Sequence, residues 1–272
     1  MKKIKWKNII LVIILLISIG VFGVSIYNIG FWLKDSKESN EQIDTIYEME
    51  PIEEVEDSIE TEIIEQEEVV PPENPYWDYI SMNLIDVDFK ELKKKNDSTV
   101  GWIQVNGTNI NYPFVQTTDN DFYLTHTYDK SYNKAGWVFM DYRNNKKDFD
   151  QNTILYAHGR LDDIMFGSLK RIMNSGWLNN SNNYVVKLST EYENTLWQVF
   201  SVYRIPTTSD YLQINFSGDD DFINFADKLI KRSAHNFNTT LNGSDKILTL
   251  STCWNDYEKV VLHAKLIKRE AK

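Results

Sequence analysis

The pattern of apolar and polar positions divides the chain into three stretches. Between Ile9 and Leu33 no residue carries a charge. As a helix this run would reach roughly 37 Å, enough to cross a bilayer core of about 30 Å with some tilt. It is longer than the ~7–15 residues of a signal-peptide core. It therefore reads as an uncleaved transmembrane anchor, with a leader cleaved near the small residues of Gly20–Ser25 as the alternative. From Asp35 to Asn74 acidic positions dominate, and the stretch ends near Pro71-Pro72. Ile43, Ile46, Met49, Ile52, Val55, Ile59 and Ile63 make a weak helical stripe within it. The stretch is expected to be an extended or loosely helical spacer, a solvated charge run with no partner.

From Tyr76 the pattern becomes globular. Asp88–Lys95 predicts a short helix, and short alternating runs split by turn residues follow it. The predicted strands are Val100–Val105, Ile110–Gln116, Ala135–Tyr142, Asn152–His158, Tyr184–Thr190, Asn194–Ile205, Lys246–Cys253 and Lys259–Ile267. One helix interrupts them. Ser217 is its expected cap, Asp219–Asp221 suit its positive end, and Lys228, Lys231 and Arg232 its negative end. Phe222, Phe225, Ala226 and Leu229 mark its buried face. Eight strands with one inserted helix predict a mostly β, closed or nearly closed barrel, with a sandwich left open by pattern alone. The expected organisation is a basic N-terminus over residues 1–8, an anchor over 9–33, an acidic stalk over 34–75 and one folded domain over 76–272.

Charge sharpens this division. Residues 35–74 hold 16 acidic side chains against Lys37 alone, so the stalk is net −15 in a chain of −11 and the remainder is +4. The acidic balance thus belongs to the stalk. Lys2, Lys3, Lys5 and Lys7 precede the apolar run, and Tyr27, Phe31 and Trp32 lie at its far end. This asymmetry predicts a single-pass protein with a cytoplasmic N-terminus and an extracellular domain. No basic aromatic patch calls for nucleic acid. His126 and Asp129 make no convincing metal set, and nothing calls for a metal or organic cofactor.

The chain has one cysteine, Cys253, so no internal disulfide can form. A buried structural thiol is the plain reading. Its place at the end of a predicted strand, Thr249-Leu250-Ser251-Thr252-Cys253, also suits a positioned nucleophile. Cysteine attacks as thiolate and needs a proton acceptor or positive charge nearby. Of four histidines, His158 ranks first, because it ends a predicted strand and enters a glycine-containing loop. His126 ranks second, and His235 and His263 read as structural.

These residues carry a resemblance. Thr249–Cys253 looks like the sortase active-site signature, and Asn152–His158 looks like the strand bearing the sortase histidine. Gly101-Trp102-Ile103, Asn109–Pro113, Phe139–Asn144 and Met165-Phe166-Gly167 are similar to class B sortases in particular. The resemblance runs from about Asp88 to Ile267, with the motifs in family order. It implies an eight-stranded sortase barrel and a cysteine transpeptidase. Cys253 would attack the threonine carbonyl of a C-terminal sorting signal, of Asn-Pro-x-Thr type, on a surface protein. His158 would protonate the leaving amine, and an amine from a cell-wall peptide, a peptidoglycan precursor or a pilin lysine would resolve the thioester.

The family's third catalytic residue is an arginine in the last strand, and here Lys259 stands at that position. Lysine keeps the charge but not the planar fork. Lys259 would do the job, Arg160 would replace it, or activity would be weak or lost. Asn120, Leu124, Tyr156, Ser251 and Thr252 match positions of the substrate groove or lie beside the nucleophile, and Trp254 would reshape that groove. Asp141 and Arg143 read as a structural turn. The alternatives to a transpeptidase are an inactive sortase-like binding protein and a cysteine hydrolase. A papain-type protease is disfavoured, since its nucleophile precedes its histidine.

Overall fold

The computed structural model describes residues 6–49, 52–54 and 79–272. Pro71-Pro72 and the stripe positions Val55, Ile59 and Ile63 lie outside the described residues.

Alternation over short runs produces a closed barrel of eight strands: β3 (Thr99–Val105), β4 (Asn111–Val115), β5 (Phe139–Met140), β6 (Asn152–Tyr156), β7 (Val185–Thr190), β8 (Glu193–Pro206), β9 (Ile247–Cys253) and β10 (Glu258–Ala271). Around the barrel they run β10-β8-β7-β3-β4-β5-β6-β9. Each predicted strand is present. β5 is much shorter than expected, because Gly136 adopts φ +63° and turns the chain before it. The backbone N–H of Trp137 meanwhile donates to the carbonyl of Tyr123, outside any strand ladder.

Two pairings decide where the chemistry sits. β6 runs parallel to β9, in register from Asn152↔Ile247 to Tyr156↔Ser251. The C-terminal ends of both strands therefore emerge at one end of the barrel, bringing His158 and Cys253 to the same mouth. β9 runs antiparallel to β10, with Cys253 directly opposite Lys259. Directly opposed residues point to the same face of a sheet.

A short pair, β1 (Ile52–Glu54) with β2 (Ile85–Val87), lies outside the barrel. Asp88 caps α2 (Phe89–Lys95), its carboxylate accepting the Lys90 amide at 2.8 Å. After a four-residue α3 (Ser175–Leu178), the inserted helix α4 covers Asp219–Arg232. Its apolar stripe of Phe222, Phe225 and Leu229 packs with Phe200, Tyr203, Tyr211, Ile247 and Val261. Burying each such side chain contributes about 1.5–3 kcal/mol. Ser217 is not its cap. Gly218 takes that position at φ 154°, a conformation that favours glycine, and Ser217 instead donates its amide and hydroxyl to the Asp221 carboxylate.

The N-terminal helix α1 (Trp6–Tyr47) is continuous through the apolar run and into the acidic stretch. Its first part exposes Ile9–Leu33 along its length, and its last part does not behave as a free charge run. Ser39, Ile43 and Ile46 are buried on one face, at helical spacing. Polar contacts pin that face to the domain: Gln42 donates to Thr127 at 3.0 Å and Asn133 donates to the Asp35 carbonyl at 3.0 Å. Glu41, Asp44 and Glu48 are exposed on the outer faces while Glu38 accepts from Asn133 at 3.3 Å, so the charge run conceals a docking stripe.

His263 is fully buried inside β10. The Thr249 hydroxyl donates to Asn152, so His263 Nδ1 must be the donor to Thr249 at 2.8 Å, and Nε2 accepts from the Tyr203 hydroxyl at 2.8 Å. Burial, aided by the charges of Arg232 and Lys228, pushes the imidazole down to about 3. The folded state thus resists a proton that the unfolded chain takes up near pH 6.5, and stability falls as pH drops from there toward about 3. By pH 5 this one group costs roughly 2 kcal/mol. Denaturant titrations at pH 7 and pH 5 should show that loss, and His263→Gln should flatten it.

Candidate active site

A cleft of about 690 Å³ opens at the barrel mouth where β6 and β9 end. Cys253, His158, Lys259, Asn120, Leu124, Tyr156, Ser251 and Thr252 all line it. Every site residue expected from sequence is thus brought to one cavity. Of the four histidines only His158 lines it. His126 stacks on Phe122 at 4.0 Å, and His235 bonds Tyr184.

Cys253 is half-buried at the end of β9 and unpaired. The cross-strand register aims Lys259 at it, and Lys259 Nζ donates to Cys253 Sγ at 3.0 Å. That contact sets a lysine side chain directly against the one thiol of the chain. His158 Nε2 lies 2.8 Å from the Leu124 carbonyl oxygen. A carbonyl only accepts, so Nε2 carries hydrogen in this contact and Nδ1 is left to gain or lose a proton. The loop after His158 is packed tightly on β9. A Cβ on Gly159 would come 2.1 Å from the Cys253 carbonyl oxygen, so only glycine fits there. Lys170 Nζ fixes the same loop by donating to the Gly159 carbonyl at 2.7 Å.

One cleft wall rests on Asp141, whose fully buried carboxylate accepts from the Arg143 amide and guanidinium, from Asn120 Nδ2 at 3.1 Å and from the Tyr156 hydroxyl at 2.9 Å. Burial pushes that carboxyl up, but the bonds from Arg143 and Tyr156 outweigh it and hold it below the usual carboxylate range. Burial and the Asp141 charge push the Tyr156 phenol up, so it stays protonated and donates. Arg143 also reaches the Leu212 carbonyl at 3.2 Å, tying this wall to the opposite one. Asp141 and Arg143 are therefore a structural unit, as the sequence suggested. Asp141→Ala should lower stability by about 2–3 kcal/mol, read as a drop in the urea midpoint at unchanged slope. Asp141→Asn should lose less.

The opposite wall was not anticipated. Thr207, Thr208, Ser209, Tyr211 and Leu212, between β8 and α4, line the cleft. Tyr211 and Ser251 share a hydrogen bond of 2.9 Å across it. The sole sequence signal was the apolar pair Tyr211-Leu212 inside a polar run. Thr252 lines the cleft, but its hydroxyl donates to the Ala157 carbonyl at 2.8 Å. Two expectations change. Arg160 does not face Cys253: its guanidinium pairs with Asp162 and lies 5.3 Å from the Trp32 ring of α1. Trp254 is absent from the cleft lining and lies under Arg204 at 4.8 Å.

Comparison with known proteins agrees with this geometry. Residues 103–267 match the Sortase domain family. Sortase B of Listeria monocytogenes is 35% identical over 190 residues, covering 67% of this chain and 75% of that protein. A Bacillus anthracis protein described as similar to sortase B superposes with a TM-score of 0.61 at 42% identity, over 67% of this chain and 83% of that one. A Staphylococcus aureus sortase B–substrate complex superposes with a TM-score of 0.62 at 33% identity, over 66% of this chain and 84% of that one. With its cysteine at the mouth of an eight-stranded barrel of that shape, the chain belongs to the class B sortases and is a cysteine transpeptidase.

Proposed function

We propose that the protein cleaves an Asn-Pro-x-Thr-type sorting signal after threonine and joins the new carboxyl end to an amine of a cell-wall peptide. Cys253 gives its thiol proton to His158, its Sγ attacks the threonine carbonyl carbon, and the C=O electron pair moves to oxygen. The tetrahedral adduct collapses, the C–N bond breaks, and His158 gives its proton to the departing amine. The thioester retains the acyl group in activated form, so no nucleotide is needed. An incoming amine attacks the same carbon, His158 takes its proton, and Cys253 leaves as thiolate. Lys259 holds the sulfur and donates to the developing oxyanion. Asn120, Leu124, Tyr156, Ser251 and Thr252 shape the peptide's seat. Ile9–Leu33 of α1 spans the membrane with the N-terminus inside and the barrel outside.

The observation that carries this reading is the 3.0 Å contact between Lys259 Nζ and Cys253 Sγ in a cleft that His158 also lines. The test is incubation with Asn-Pro-x-Thr and Leu-Pro-x-Thr peptides, with and without an amine, read by intact-mass spectrometry. A thioester adduct that the amine discharges into a ligated product is expected, with the Asn-Pro-x-Thr peptide preferred. An adduct discharged at the same rate without amine would mean a hydrolase. No adduct on folded, reduced protein would mean a binding protein.

A further inference from the structure

The loop that follows His158 reaches the helix that the proposed function places in the membrane. Trp32 is the second-last residue of the uncharged run. A run of that length exceeds the bilayer core by about 7 Å, so Trp32 falls at the outer interface, where tryptophan is favoured. The Arg160 guanidinium lies 5.3 Å from the Trp32 ring. One turn further out, the Ser36 hydroxyl donates to Asp162 at 2.7 Å. Residues 160 and 162 are thus held at the level where α1 leaves the bilayer. Leu161 lies between them and is 88% exposed, among the most exposed large apolar side chains described. A second loop reaches the same level. Asn133 donates to the Asp35 carbonyl, and beside it stand an exposed Lys134 and Tyr132, the latter 66% exposed. A leucine, a tyrosine, a tryptophan and basic side chains at one height have the composition of a membrane-interface belt.

We propose that these two loops rest on the outer headgroup layer of the phospholipid bilayer, with Leu161 inserted and Tyr132 lying at the interface. The inference rests on α1 being a membrane span. It places the barrel mouth with Cys253 and His158 toward the membrane surface, because β6 leads into the Leu161 loop. The spacer expected between anchor and domain is then absent at this point: the domain sits on the membrane it is anchored in.

The full chain, carrying Cys253→Ala so that no other thiol is present, would be reconstituted in phosphatidylcholine–phosphatidylglycerol vesicles. An environment-sensitive fluorophore would be attached through Leu161→Cys, Phe22→Cys or Asn182→Cys, one per sample. Asn182 is exposed and bonded to Asn106, just past the end of β3, toward the Tyr47 end of the docked helix. Emission at position 161 should shift to the blue and be strongly quenched by headgroup-region nitroxide lipids, while position 182 shows neither effect. Position 161 behaving like 182 while position 22 is quenched by acyl-chain nitroxides would overturn the docking and leave the anchor standing. Position 22 unquenched as well would remove the anchor reading, and the docking with it.

Discussion

Cys253→Ala is expected to abolish the acyl adduct with any sorting peptide and to lower transpeptidation by at least about 10⁴-fold. The expectation is strict because Cys253 is the one cysteine in the chain, so no other side chain can form the thioester. The fold should not suffer. Cys253 is half-buried at a strand end, and β9 is held there by backbone pairing to β6 and β10. Cleft walls built on Asp141 and on the Tyr211–Ser251 bond do not involve the sulfur. The variant should therefore still bind peptide, with an affinity close to that of the parent by fluorescence titration. Loss of adduct with retained binding separates a missing nucleophile from a damaged site. Residual ligation within about tenfold of the parent would move the chemistry away from Cys253.

All eight strands were legible because each is a short alternating run bounded by turn residues, and that signal is local. Closure was not. It depends on registers such as Gly101↔Thr190 and Tyr156↔Ser251, which join strands far apart in sequence. Without those registers a sandwich explains the same pattern. The meeting of His158 and Cys253 at one cleft was legible for a related reason. Cys253 ends β9 and His158 follows the end of β6 by two residues, and the parallel pairing of those strands brings the two ends together. The wall from Thr207 to Leu212 carries no periodic pattern, so its role emerged only from the path it takes over the cleft. The docked part of α1 was hidden by composition. Ser39, Ile43 and Ile46 face the barrel, but the acidic residues around them dominate any average over the segment.

Lys259→Met is expected to lower kcat/KM for acylation by about 10²–10³-fold, the range found when one donor to a developing oxyanion is removed. Methionine keeps the length and apolar stem of the lysine, so packing beside Cys253 should change little. Lysine's compact charge has three donors. One meets the sulfur at 3.0 Å in the resting site, and the others can turn to the substrate oxygen as it becomes negative. An arginine fork would make two fixed bonds, but it is not required for a point charge directly across the strand pair. The two roles separate experimentally. If Lys259 stabilises the thiolate, alkylation of Cys253 by iodoacetamide should slow in Lys259→Met along with acylation. If it acts only on the oxyanion, alkylation should keep its rate while acylation falls. Lys259→Arg preserves the charge and should recover most of the acylation rate that methionine loses. A loss below about threefold in Lys259→Met, for both reactions, would leave Lys259 no part in the chemistry and turn attention to the Leu124-bound His158 as the sole partner of the sulfur.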